Sequence, residues 1–377
     1  MSMMDFLNSA EKMLARAAEG HRRRTRTRHW QAQLQSPSDL RGRACHCPPD
    51  LPFHHVHSEG IREAADIVID YGSNVENPLR PQIPVEMAAR IAPLIPRAAI
   101  VHVKADLLAQ ATERMFPLLT EPIVLVTGDS DVSPAQAFRQ LLDHPMLLHW
   151  FCQNADLPHP HPRLSPIPIG LDNPVYTKLE KRAGFLVDQL GGKSRFDLTC
   201  RRNDTGDQRR FNEAAAESRT ASGAKPLRVL CTFHQNHRLA PDITGIPDRV
   251  AAAGALSRSG ISDFVEKRLP QDQCWRLHSR FAFEASPAGN GLDCFRTWEA
   301  LALGTVPIVR TGPLDLLYKA HGFPVAIVED WEEVDATRLA RWNEDLVPKL
   351  AEAHHRLANS YWTGLIRATA DRLRTPS

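Results

Sequence analysis

Short apolar runs recur along the chain in two groups. Ile67-Val68-Ile69-Asp70-Tyr71, Ala99-Ile100-Val101-His102-Val103, Ile123-Val124-Leu125-Val126-Thr127 and Leu147-Leu148-His149-Trp150-Phe151 are nearly continuous and rich in β-branched residues, as strands buried on both faces of a parallel sheet are. Val85 to Ile91 and Pro134 to Leu142 carry helical patterning between some of them. Buried strands alternating with helices predict an α/β fold. From Gly191 to Pro226 the chain turns polar, with Arg201-Arg202-Asn203-Asp204 and Arg209-Arg210, and this stretch is expected to be a linker. Strand patterns resume at Leu227 to Phe233, Phe281 to Ala285, Thr305 to Val309 and Val325 to Val328, and helices are predicted over Arg338 to Ala358 and Tyr361 to Leu373. The expected organisation is an arm and loop at 1–60, a parallel-sheet domain at 61–190, the linker at 191–226, a second parallel-sheet domain at 227–358 and a terminal helix at 359–377.

The stretch from Ser286 to Val309 carries the most specific signal. Ser286-Pro287-Ala288-Gly289-Asn290-Gly291 breaks the chain after a strand, a short helix follows, Gly304 supplies a left-handed stop, and Thr305 to Val309 returns as a strand. A helix that starts beside two glycines offers unpaired N–H groups and a positive dipole end, which suits an anion. On the helical wheel Cys294, Phe295, Trp298, Leu301 and Ala302 form an apolar face, while Arg296 and Glu299 lie together on another. A guanidinium for phosphate and a carboxylate for ribose hydroxyls suit a nucleoside diphosphate. The plainer alternative is an exposed ion pair between helical neighbours, contributing a few tenths of a kcal/mol.

Glu299-Ala300-Leu301-Ala302-Leu303-Gly304-Thr305-Val306-Pro307-Ile308-Val309 resembles the E-A-x-A-x-G-x-P-V-V element of two-domain, GT-B-type glycosyltransferases. With its R-x-x-E-A-L and G-x-x-P-I-V strings, the segment from Phe281 to Val309 looks most like exostosin-type glycosyltransferases and their relatives. The resemblance implies two Rossmann-like parallel-sheet domains facing a cleft, with the last helix crossing back to the first. It implies a hexosyl- or pentosyltransferase that uses a sugar-nucleotide donor and a glycan, lipid-linked or protein acceptor, with no cofactor. Carried onto this chain, it implies Glu299 on the ribose, Arg296 near the diphosphate, and Gly289, Asn290 and Gly291 against the phosphates or sugar. Animal exostosin-type enzymes are membrane-anchored in the secretory pathway, and this chain departs from that plan.

Composition narrows the class. The chain has 377 residues, 42% hydrophobic and 24% charged, which suits a globular protein of two ordinary domains. No apolar run reaches the roughly 18 residues that span a bilayer. The N-terminus shows no signal-peptide core, because Asp5 interrupts the short run Met3 to Leu7. Seven scattered cysteines give no disulfide framework, and a reducing cytoplasm fits best. A net charge of +2 argues against nucleic acid as the main partner, since basic residues concentrate only in His21 to Arg28. That basic run follows a helix-spaced apolar set (Phe6, Leu7, Ala10, Met13, Leu14, Ala17). The set fits a solvated arm or a helix packed on the body, with peripheral contact to an anionic membrane surface as the alternative. Cys45-His46-Cys47 with His54, His55 and His57 has the wrong spacing for common zinc sites, so no metal is expected.

Ligands of parallel sheets sit beyond the carboxyl ends of the strands. Asp129-Ser130-Asp131 after the third run is formally D-x-D, a pattern that holds a divalent metal in another glycosyltransferase fold. Asp129 or Asp131 is expected instead on the acceptor side, one of them as general base, with a helix-capping role as the plain alternative. Gln153, Asn154 and Asp172 are candidates for acceptor hydroxyls, and Arg238, Lys267 and Arg268 for a second cation on the diphosphate. Gly289-Asn290-Gly291-Leu292-Asp293-Cys294 with Asp315 also approaches the dinucleotide fingerprint, but Cys294 replaces its third glycine. A nucleotide-sugar epimerase and a non-catalytic nucleotide-sugar or glycan binder are the other readings. No Walker A pattern is present.

Overall fold

The computed structural model describes residues 55–69, 83, 85–171, 206–220, 225–234, 248–265 and 269–374. Strands β1 (Ile67–Ile69), β2 (Ile100–Lys104), β3 (Ile123–Gly128), β4 (Leu147–Cys152) and β5 (Leu164–Pro166) form one parallel sheet in the order β1-β2-β3-β4-β5. Strands β6 (Val229–Cys231), β7 (Ser262–Phe264), β8 (Phe283–Ala285), β9 (Val306–Arg310) and β10 (Ala326–Val328) form a second, ordered β10-β9-β8-β6-β7 and also parallel. The expectation of two parallel α/β sheets holds. Every residue of β2 and β3 is buried, as their unbroken apolar sequences require.

Four local expectations change. Pro134 to Leu142 forms a turn and a 3-10 helix, Arg139–Asp143, instead of an α-helix: the Phe138 N–H reaches Pro134 O, and the next bonds span three residues. The helix expected over Arg338 to Ala358 splits into Ala336–Asp345 and Lys349–Ala353 around Pro348, which has no N–H to continue it. A helix, Gly206–Thr220, occupies part of the span whose polarity suggested a linker; its buried Phe211, Ala214 and Ala215 make a stripe too narrow to mark the sequence. Strands β5 and β7 were not expected, since Leu164-Ser165-Pro166 and Ser262-Asp263-Phe264 lack a β-branched run.

One apolar cluster joins the two halves. It holds Val124, Val126 and Phe151 of the first sheet with Val309 of the second, Trp298 and Leu301 of the helix Phe295–Ala302, and Trp362, Ile366 and Ala370 of the last helix, Asn359–Arg374. That helix lies on the first half, where Asn359 Nδ2 donates to Gly60 O at 3.1 Å and Arg367 donates to Glu63 O. His57 bridges Gly170 and His55 bridges Ala358, next to the Asn359 contact, so segment 55–57 ties the end of β5's loop to the start of the last helix. Among the described residues no helix is long and apolar enough to cross a membrane.

Candidate functional site

The order of the second sheet fixes where a ligand sits. The chain leaves β6 towards β7 on one side, then returns to place β8 on the other, so β6 and β8 flank the point where strand order reverses. Open parallel sheets bind ligands in the crevice outside the carboxyl ends at such a point. Thr232 and Phe233 follow β6, and the glycine loop follows β8.

The loop is clamped from both ends. Asp248 Oδ2 accepts the Ala288 N–H at 2.8 Å, while its Oδ1 takes the Trp331 indole at 2.7 Å. At the far end Asp293 accepts from Cys294 N and Trp298 Nε1, each at 2.9 Å, and from Ile169 N of the first half at 2.8 Å. Burial pushes the Asp293 carboxyl up to about 7 against the pull of these donors. The helix Phe295–Ala302 starts next, and no side chain caps it. Gly304 ends it in the expected left-handed conformation, φ 70°, and Lys225 Nζ donates to the Gly304 carbonyl at 2.6 Å.

Two guanidinium groups meet at this loop. Arg296 Nε donates to Thr232 Oγ1 at 3.1 Å and lies 3.9 Å from Glu284 Oε1, with its guanidinium 5.8 Å from the Phe233 ring centre. Arg296 Nη1 is buried without a hydrogen-bond partner among the described residues. Arg249 donates to Ala288 O at 3.1 Å, and its Nη2 lies 2.6 Å from where a Cβ on Gly289 would stand. Burial lowers the Arg249 pKa, and the Arg296 charge lowers it further. Asp248 and Cys294 act in the opposite sense on Arg249, and Glu284 lies beside Arg296, so two partly buried cations flank the loop with acidic neighbours behind them.

The first sheet brings its own loops to the same place. Asp129 and Asn154 end β3 and β4 with φ of 55° and 51°, a left-handed conformation that Asp and Asn tolerate and that clusters at functional sites. Asp129 pairs with buried Arg62, and its Oδ2 lies 3.3 Å from Lys104 Nζ. Asn154 Nδ2 donates to Ser130 O at 2.9 Å, and its Oδ1 accepts the Asp293 N–H at 2.8 Å. A cavity of about 350 Å³ opens here, lined by Ser58, Lys104, Asp106, Asp129, Ser130, Asp131, Val132, Ile169 and Phe295. Phe295 is the first residue of the helix behind the glycine loop, so both halves contribute.

The structure brings Asp129, Asp131, Asn154 and Gly291 to this junction, while Gly289 sits beside Arg249 and Arg296 contacts Thr232 and Phe233 within the second half. Gln153 and Asn154 do not line the cavity. Gln153 is buried, its Oε1 accepting the Asp129 N–H at 2.8 Å and its Nε2 donating to Pro168 O at 2.9 Å, so its amide serves the backbone of a tight strand end. Asn154 likewise bonds Ser130 O and the Asp293 N–H. Glu299 is buried rather than open on the helix face, at 6% exposure. Asp172, Arg238, Lys267 and Arg268 lie outside the described residues, as do Cys45, His46, Cys47 and His54. Among the described residues no group of histidine, cysteine and carboxylate side chains is placed to hold a metal. Arg62, Lys104, Asp106 and Arg249 were not singled out in the sequence, because each stands alone in its segment and reaches the site only through tertiary packing, and Phe295 was read only as part of an apolar helix face.

Gly291 is required by the junction: a Cβ there would stand 3.0 Å from both Asn154 amide atoms and 3.2 Å from Asp131 O. Since Asn154 is held at both ends, Gly291→Ala is expected to push the two loops apart and lose about 1–3 kcal/mol in urea denaturation. An unchanged midpoint and slope would show that the loops are not in tight contact.

No family model matches the chain, and no curated protein matches it. Solved structures overlap it loosely. They include an alpha,alpha-trehalose-phosphate synthase (UDP-forming) from Burkholderia vietnamiensis, 12% identical, covering 76% of this chain and 77% of that one at a TM-score of 0.38. A trehalose-6-phosphate structure from E. coli bound with UDP-2-fluoro glucose is 10% identical, covering 78% and 77% at 0.32. A GtfA/B complex is 11% identical, covering 77% and 60% at 0.36. At TM-scores this low the overlaps carry no weight in assigning an activity.

Proposed function

We propose that the chain is a glycosyltransferase of the two-sheet, GT-B type, moving a sugar from a nucleoside diphosphate sugar to an acceptor hydroxyl without a metal. The observation that carries this reading is the placing of two cations, Arg249 and Arg296, beside a glycine loop and an uncapped helix start at the strand-order reversal of the second sheet. The diphosphate would lie across the two guanidiniums, with Glu299 reaching the ribose after a modest opening of its surroundings. The exostosin-type likeness of Phe281 to Val309 supports the same placement. We further propose the domain limits 61–190 and 227–358, with the last helix crossing back.

The acceptor would enter the cavity beside Phe295. Its carboxylates suit hydroxyl groups, and Phe295 offers an apolar face to a sugar ring. Asp131 is the better general base, because it is exposed in the cavity while Asp129 is committed to Arg62 and Lys104. His102 does not compete: burial, with the Arg62 charge, lowers its pKa to about 3, and the ring stays neutral. As the glycosyl bond breaks, negative charge grows on the departing diphosphate, where Arg249, Arg296 and the helix start stabilise it.

The test is nucleoside diphosphate release from a panel of sugar-nucleotides, with and without glycan acceptors, in excess chelator. Acceptor-dependent release that survives chelation is expected. Glu299→Ala should raise donor KM about tenfold, the loss of roughly 1.4 kcal/mol of binding, and leave kcat nearly unchanged. Turnover of donor without acceptor would instead indicate an epimerase, and binding without release a non-catalytic protein.

A further inference from the structure

A second cluster of reactive side chains lies outside the cavity. Cys274 and His278 stand one helical turn apart on the helix Gln271–His278, so they share a face. Cys274 Sγ is 3.2 Å from His278 Nε2, and His278 Nδ1 is 2.8 Å from Glu284 Oε2 on β8, an ion pair off the angle of a good hydrogen bond. Glu284 Oε1 accepts the Thr232 hydroxyl at 2.7 Å, which in turn accepts from Arg296 Nε. His278 and Glu284 are fully buried, at 1% and 0% exposure, while Cys274 at the outer end is partly exposed.

Sulfur, imidazole and carboxylate in this order are the parts of an activated thiol: a nucleophile, a ring that carries charge, and a carboxylate that orients the ring. Burial alone would lower the His278 pKa, yet the Glu284 charge and the Cys274 contact raise it to about 10. The ring is therefore an imidazolium at neutral pH, with one N–H towards Glu284 and the other towards the sulfur. Such a donor steadies negative charge on sulfur as the thiol reacts. The plain alternative is a core histidine paired with Glu284, next to a cysteine that happens to be near. The other three described cysteines differ in setting: Cys152 and Cys231 are buried, with burial pushing the Cys152 thiol up to about 12, and burial also raises the half-buried Cys294, which lies beside Arg249 rather than a histidine.

We propose that Cys274 is a covalent modification site, a thiol activated by His278 and Glu284 that takes soft electrophiles and low-molecular-weight disulfides. With a disulfide, the Cys274 sulfur attacks one sulfur of the reagent, a mixed disulfide forms, the second sulfur leaves as thiolate, and the Cys274 proton passes to solvent. The site stands whether or not the chain transfers sugars, since no part of it relies on a donor.

The test is timed labelling of the native full-length chain at pH 7 with iodoacetamide and, separately, with glutathione disulfide, read residue by residue by mass spectrometry. Cys274 is expected to react at least tenfold faster than the free thiol of glutathione under the same conditions, and faster still than Cys152 and Cys231. His278→Gln, checked for folding by its thermal transition, should slow Cys274 about tenfold. A Cys274 rate at or below that of glutathione overturns the proposal, and so does an unchanged rate in folded His278→Gln. If that variant does not fold, the comparison with glutathione decides alone.

Discussion

Arg296→Ala is expected to lower kcat/KM for a nucleoside diphosphate sugar by about 10²- to 10³-fold, the range for removing a preorganised donor from charge that grows in the transition state. The loss should fall more on kcat than on KM. Arg296 is fixed through Thr232 and over Phe233, so its guanidinium needs no reorganisation when the diphosphate departs. Its buried, unpartnered Nη1 is a polar group whose desolvation is uncompensated until a ligand arrives. For the same reason Arg296→Ala should not destabilise the free protein much, and its thermal transition should stay within a few degrees of wild type. Kinetics indistinguishable from wild type would remove Arg296 from the site.

Asp293→Ala is expected to carry the largest effect on stability. The carboxylate holds Ile169 N, Cys294 N and the Trp298 indole, and the first of these lies in the other half of the molecule. Truncation leaves three buried donors without an acceptor, a loss of roughly 3 kcal/mol or more at about 1–3 kcal/mol for each group. The same side chain makes stability depend on pH. Its folded pKa of about 7 lies above the ordinary carboxyl value near 3.9, so the folded state binds the extra proton between these limits. The stability it lends is full below about pH 4 and is lost as pH rises towards 7, a swing of roughly 4 kcal/mol at most. The margin of wild type over Asp293→Ala in thermal unfolding should therefore narrow from pH 4 to 7. A margin that widens over that window would mean the carboxyl titrates low, with its three donors outweighing burial.

The sheets were legible because strands buried on both faces must be apolar throughout, and β2, β3, β4 and β9 stand where such runs occur. The helix Phe295–Ala302 and its stop at Gly304 were legible because the turn chemistry leaves few choices. Short strands without β-branched residues, such as Ser262–Phe264, left no trace. Site geometry was legible only where one segment supplied it. The glycine loop and Arg296 are neighbours in sequence, whereas Arg249 arrives from the start of another helix and Lys104 and Arg62 from separate elements of the first half. Polar residues at strand ends bind ligands or backbone with equal sequence credentials, and the backbone bonds of Gln153 at Asp129 and of Asn154 at Asp293 could be seen only in three dimensions.

A pyrophosphate held by Arg249, Arg296 and the glycine loop is the core of the proposed function. Calorimetric titration of UDP, GDP and ADP into the wild-type chain and Arg249→Ala, with chelator present, tests it most directly. At least one nucleotide is expected to bind wild type with micromolar affinity, near −8 kcal/mol, and at least tenfold more weakly to Arg249→Ala. No binding of any of the three at millimolar concentration, or equal affinity in both proteins, would contradict it.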